Sequence, residues 1–141
     1  MVIIVQLLIF IWFIVHAIKH VGVLPSISDH FYHPRVSKAF KAAMWVIGSL
    51  FTIQGDTLLH YAGLFLIGVP IFGDFKSRWT QAYHYLSALG FFVLAGLAAG
   101  ILVAVSSFLI VAAGFLLSDK INNSLYYAEI LAIVIICIFV Y

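Results

Sequence analysis

The sequence predicts an all-α protein, a polytopic membrane bundle in which six transmembrane helices form a single domain. Three observations carry this prediction. Hydrophobic residues make up 65% of the 141-residue chain and charged residues only 9%, with a mean hydropathy of +1.20. A soluble domain of this length has no interior large enough to hide that much apolar surface, so lipid is the expected solvent. Long apolar runs are separated by short passages rich in Pro, Gly, Asn and charge, as helices joined by tight loops would be. Finally, the seven Lys and Arg residues fall into alternate loops and their flanks, a pattern set by membrane orientation.

Helix one is expected over residues 2–24, enough at 1.5 Å per residue to cross a hydrocarbon layer of about 30 Å. A cleaved signal sequence is disfavoured, because no basic residue precedes Lys19 and the apolar run outlasts a usual signal core. Pro25 and Pro34 bracket a polar loop, since proline cannot donate to a continuing helical ladder. Helix two is expected over 39–53 and ends at Gln54-Gly55-Asp56. Helix three follows over 57–72, with Pro70 and Gly73 near its end. The apolar stretch from Tyr83 to Leu117 is too long for one crossing, about 50 Å as a single helix. Dividing it near Ala99-Gly100 gives helices over 83–99 and 101–118. Asp119 to Asn123 is the last loop, and 124–141 the last helix.

With six crossings, the loops containing Arg35, Lys76 and Lys120 share one side and gather every basic residue. That side is expected to be cytoplasmic. A formal charge of +2 is too small and dispersed to imply a nucleic-acid partner. The single cysteine, Cys137, allows no disulfide framework.

The candidate chemistry lies on the same side. Pro25-Ser26-Ile27-Ser28-Asp29-His30-Phe31-Tyr32-His33-Pro34 holds an acid, two histidines and two hydroxyls. His84 opens helix four from that side, and Glu129 lies just inside helix six. His16 and His20, four residues apart on helix one, share a face pointing the same way. Ionisable groups at membrane depth need a partner or water, which singles out Glu129 as either a functional group or a packing carboxylate.

Four readings of the loop compete. A metal site could draw on Asp29, His33, His84 and Glu129, but no tight ligand spacing such as HExxH is present, and no metal or cofactor is identified. Nucleophilic catalysis could use Ser28 or Ser26, His84 as general base and Asp29 as its orienter, without a GxSxG elbow. Lipid headgroup binding could use Ser26, His30, His33 and Arg35 together with Lys38 and Lys41. Alternatively the loop is simply capped by Ser28 or Asp29. The spacings Gly96-xxx-Gly100 and Ala95-xxx-Ala99 predict close helix packing inside the bundle, with a homo-oligomer through the same stripe as the alternative. Trp45, Trp79, Tyr83, Tyr85, Tyr126 and Tyr127 are expected in interfacial aromatic belts.

Pro25-Ser26-Ile27-Ser28-Asp29, followed by His84-Tyr85-Leu86-Ser87-Ala88, resembles the P-x-I-S-(D/E) and H-x-x-(G/S)-A passages of DRAM/FRAG/Sfk-type six-helix membrane proteins. The resemblance implies a six-helix bundle with Ser28, Asp29 and His84 as the equivalent polar positions. It also implies roles in lipid-anchor remodelling, lysosomal or autophagic membranes and lipid homeostasis. The short loops and clipped helices four and five resemble a small bacterial or phage-encoded relative. The expected function is therefore a membrane protein whose polar pocket binds a lipid headgroup or remodels a lipid, with membrane lipids as partners. The rival expectation is a small transporter, channel or holin-like component, with His16, His20, Glu129 and His60 lining a path.

Overall fold

A computed structural model describes residues 2–54, 56–73 and 77–140. Gly55 and Lys76, which enter the loop expectations above, and residue 141, the expected end of the last helix, lie outside the described residues. Six α-helices and one 3-10 helix are present, with no strand among the described residues. They are α1 (Val2–Val21), the 3-10 turn (Ile27–Tyr32), α2 (Ser37–Thr52), α3 (Thr57–Ile71), α4 (Arg78–Ala99), α5 (Ile101–Leu116) and α6 (Ser124–Phe139).

Local chemistry explains where the helix ends depart from expectation. α1 stops at Val21 rather than running to residue 24, because Gly22 takes a left-handed conformation (φ +84°) and donates its N–H to the Ile18 carbonyl at 2.9 Å. Pro25 is thus not what ends it. α4 begins at Arg78, five positions before the expected residue 83, because Ser77 and Thr80 form a reciprocal cap. The Thr80 N–H donates to Ser77 Oγ at 3.1 Å, and the Ser77 N–H donates to Thr80 Oγ1 at 3.1 Å. The long apolar stretch breaks at Gly100, whose φ of +120° is closed to residues with a side chain. Beyond it α4 and α5 fold back on one another so closely that a Cβ on Gly96 would meet Ala104 Cα at 2.7 Å.

Each helix packs on the next in sequence, and α6 returns against α4 and α1. The 3-10 turn packs against α2, α3 and α6. Phe13, Phe40, Phe51, Tyr126 and Ile136 are fully buried between these elements. Tyr126 is a correction to the belt expectation: it sits in the core, whereas Trp79, Tyr83, Tyr85 and Tyr127 are exposed.

α1 and α4, at 20 and 22 residues, are long and apolar enough to cross a bilayer. α3, α5 and α6 are apolar but shorter, at 15, 16 and 16 residues.

Candidate functional site

The polar residues of the first loop are sorted by the pitch of the 3-10 turn. With three residues per turn, positions three apart eclipse one another. Ile27 and His30 therefore share a face and are both buried in the core. Ser26 and Asp29 share another, and both line a cavity of about 640 Å³.

The start of this turn exposes orphan backbone donors, as any helix start does. Two carboxylates take them. The Ser26 N–H donates to Asp29 Oδ2 at 2.9 Å, so Ser26 is the capping residue and Asp29 reaches back to it. The expected caps, Ser28 and Asp29, are therefore displaced by Ser26. The Ile27 N–H donates to Glu129 Oε2 at 2.7 Å, so the acid in α6 caps a helix far away in sequence. Glu129 is thus both a packing carboxylate and a wall of the cavity.

His84, in the second turn of α4, completes the polar end of the cavity. It is 2% exposed, and its Nδ1 lies 2.9 Å from the Val69 carbonyl. α3 ends at Ile71, which leaves that carbonyl without a helical donor; Nδ1 carries the proton and supplies it. The carbonyl of Val69, rather than Asp29, therefore orients this imidazole at Nδ1. Asp29 lines the same cavity as His84 and Glu129.

From this end the cavity runs along apolar walls. His84, Ala88 and Phe92 follow one face of α4 at four-residue steps. Phe108, Val111, Ala112 and Phe115 face them from α5 at steps of three and four. The cavity is open at its side, since Tyr85, Leu89, Phe108, Phe115 and Leu116 line it and are also exposed. The result is a lateral slot between α4 and α5, polar at the end near the first loop and apolar along its length. A smaller cavity of about 40 Å³ adjoins it, sharing Ser28, Ala88, Phe92 and Glu129.

Of the residues picked out in the sequence, Ser26, Ser28, Asp29, His84 and Glu129 line the slot together. His30, His33 and Arg35 do not. His30 is 0% exposed, its Nδ1 is 3.0 Å from the Ile27 carbonyl, and its ring lies between Phe13 and Tyr126. Burial holds this imidazole below its ordinary pKa, against the opposing pull of the Ile27 carbonyl and Asp29. His33 closes the turn, its carbonyl accepting from the Val36 and Ser37 N–H groups at 3.0 and 2.9 Å. Arg35 is exposed beyond it. Among the described residues no three of His, Cys, Asp and Glu are grouped to hold a metal, so the alternative set with His33 is not assembled.

Sequence reasoning missed the apolar wall. Phe108, Val111, Ala112 and Phe115 carry a helical spacing that matched ordinary packing equally well. Along α1 His16 stacks on Trp12 and makes a tilted ring contact with His20, whose Nδ1 is 2.8 Å from the His16 carbonyl. His60 is exposed, with its Nδ1 3.0 Å from the Thr52 carbonyl, and lines neither cavity. Comparison with family models, curated proteins and solved structures returns no match to this chain.

Proposed function

We propose that the chain is a six-span integral membrane protein that binds a membrane lipid in the slot between α4 and α5. The headgroup sits against Ser26, Ser28, Asp29, His84 and Glu129, and an acyl chain lies along Ala88, Phe92, Phe108 and Ala112. The observation carrying this reading is the slot itself: polar at one end, apolar along its length, and open sideways. A small polar solute would not need the apolar length, and a purely apolar ligand would strand the carboxylates.

The outer surface supports the membrane setting. Large apolar side chains point outward from every α-helix, among them Leu8 and Ile11 on α1, Trp45 on α2, Leu64 on α3, Leu86 on α4, Leu102 and Leu109 on α5, and Leu131 on α6. Water would penalise such a surface, whereas hydrocarbon accepts it. The shorter helices are met by local thinning of the bilayer and by polar groups at their ends. In this topology Lys19, Arg35, Lys38, Lys41, Arg78 and Lys120 mark the cytoplasmic side, which is also the polar end of the slot. The same arrangement agrees with a small relative of the DRAM/FRAG/Sfk type.

A transport path through the bundle is less well supported. Such a path needs His60 and the loop cluster joined by one polar cavity, and His60 stands exposed at the other end of the bundle. The test is lipid carried through purification by the wild type, Asp29→Asn and His84→Ala. The reading expects a defined lipid in the wild type and less of that lipid in both variants. Unchanged lipid content in folded, inserted variants would overturn it.

A further inference from the structure

The geometry points to a lipid bearing a primary amine as the occupant of the slot, an inference that rests on the lipid-binding reading above. The polar end holds two carboxylates, and no Lys or Arg among the described residues lines the slot with them. Each carboxylate has one oxygen committed to the 3-10 turn: Asp29 Oδ2 to the Ser26 N–H, and Glu129 Oε2 to the Ile27 N–H. The second oxygen of each has no protein donor among the described residues. Ser26 and Ser28 add hydroxyls, which accept as readily as they donate.

An end so rich in acceptors is complementary to a group that is positively charged and donates several hydrogen bonds. An ammonium does both, with three N–H donors, and its bonds to carboxylates are charge-assisted. A quaternary trimethylammonium carries the charge without the donors. A glycerol headgroup brings hydroxyl donors but no positive charge, and an anionic group would meet two carboxylates with no lining cation among the described residues to offset them. The phosphate of a zwitterionic amine lipid would be left to the basic residues that flank the lining in sequence: Arg78, six residues before His84 on α4, and Lys120, two residues beyond Ser118 of the slot wall. The ammonium then enters among the acids while the phosphate remains at the basic rim.

The experiment titrates the purified, full-length protein in detergent with three dioleoyl lipids differing only in headgroup: phosphatidylethanolamine, phosphatidylcholine and phosphatidylglycerol. Binding is read by native mass spectrometry and by the shift in thermal unfolding. Phosphatidylethanolamine is expected to bind about tenfold more tightly than either of the others, as befits hydrogen bonds made to a charged group. Asp29→Asn and Glu129→Gln keep an oxygen acceptor for the turn and remove the charge. Each is expected to bring phosphatidylethanolamine close to the affinity of phosphatidylcholine while lipid still binds. Ala112→Trp fills the apolar part of the slot and is expected to weaken all three lipids alike, which separates slot binding from adhesion to the outer surface.

Equal binding of the three lipids by the wild type, or preference for phosphatidylglycerol, overturns the amine assignment and leaves the lipid-binding reading standing. Failure of every lipid to bind, or binding untouched by Ala112→Trp, overturns the lipid-binding reading itself. If the charge variants do not fold, the wild-type ranking still decides the assignment.

Discussion

The backbone N–H of Ile27 donates to Glu129 Oε2 at 2.7 Å across 102 residues of chain. One bond thus fastens the turn after α1 to the second turn of α6 and fixes the polar end of the slot between them. Removing the acceptor strands a part-buried backbone donor. Glu129→Ala is expected to destabilise the protein by about 1–3 kcal/mol, whereas Glu129→Gln, whose amide oxygen can take the same N–H, recovers most of the loss. Thermal unfolding of the two variants in detergent measures the difference, and equal losses would show that the bond contributes little.

Gly100 offers a test of the α4–α5 hairpin that is free of packing effects. A Cβ there meets nothing within 4 Å, so any penalty comes from the backbone at φ +120°. Gly100→Ala is expected to cost about 1–3 kcal/mol. It should also reduce lipid carried through purification, because both walls of the slot depend on that reversal. A variant as stable as the wild type would mean that the chain does not turn there.

His30 makes stability depend on pH. Burial lowers its pKa in the folded protein below the ordinary 6.5. The unfolded chain therefore takes up the proton first as pH falls. The contribution is fully present above about pH 6.5 and is lost progressively below it. The unfolding midpoint of the wild type is expected to drop between pH 7.5 and 5.5, and His30→Phe should drop less. Identical slopes would place His30 in contact with solvent.

The six-span topology is open to labelling. In a chain carrying Cys137→Ala, Arg35→Cys and Lys120→Cys are expected to react with an impermeant thiol reagent from the same side of the membrane. Thr57→Cys should react only from the opposite side. Reaction of Arg35→Cys and Lys120→Cys from opposite sides would exclude an even number of crossings between them, and with it the shared basic face.

Much of the helical layout is legible in the sequence because its signals are local. Asp56 caps α3 by accepting from the Leu59 N–H at 3.0 Å, directly after the Gln54-Gly55-Asp56 break. Gly100 parts α4 from α5 because no other residue tolerates its backbone angle. The cap at Ser77 and Thr80 is equally local, yet the five-residue lead of Arg78, Trp79, Thr80, Gln81 and Ala82 carries too little hydrophobic periodicity to be read as helix. The loop after α1 is less legible still, since six residues of 3-10 helix leave no repeat from which to assign faces.

Composition, breaks and charge placement by themselves determined that the chain is helical and that most of its ionisable groups, Asp56 and His60 apart, fall in alternate loops and their flanks, since these signals are local to each segment. Tertiary structure decided which of those groups meet. It turned Asp29 and Ser26 into the slot and His30 into the core, brought Glu129 to Ile27 and gave His84 the orphan carbonyl of Val69. Such pairings follow from buried donors and acceptors having to be satisfied across the whole fold, a constraint that acts between segments and leaves no mark on either alone.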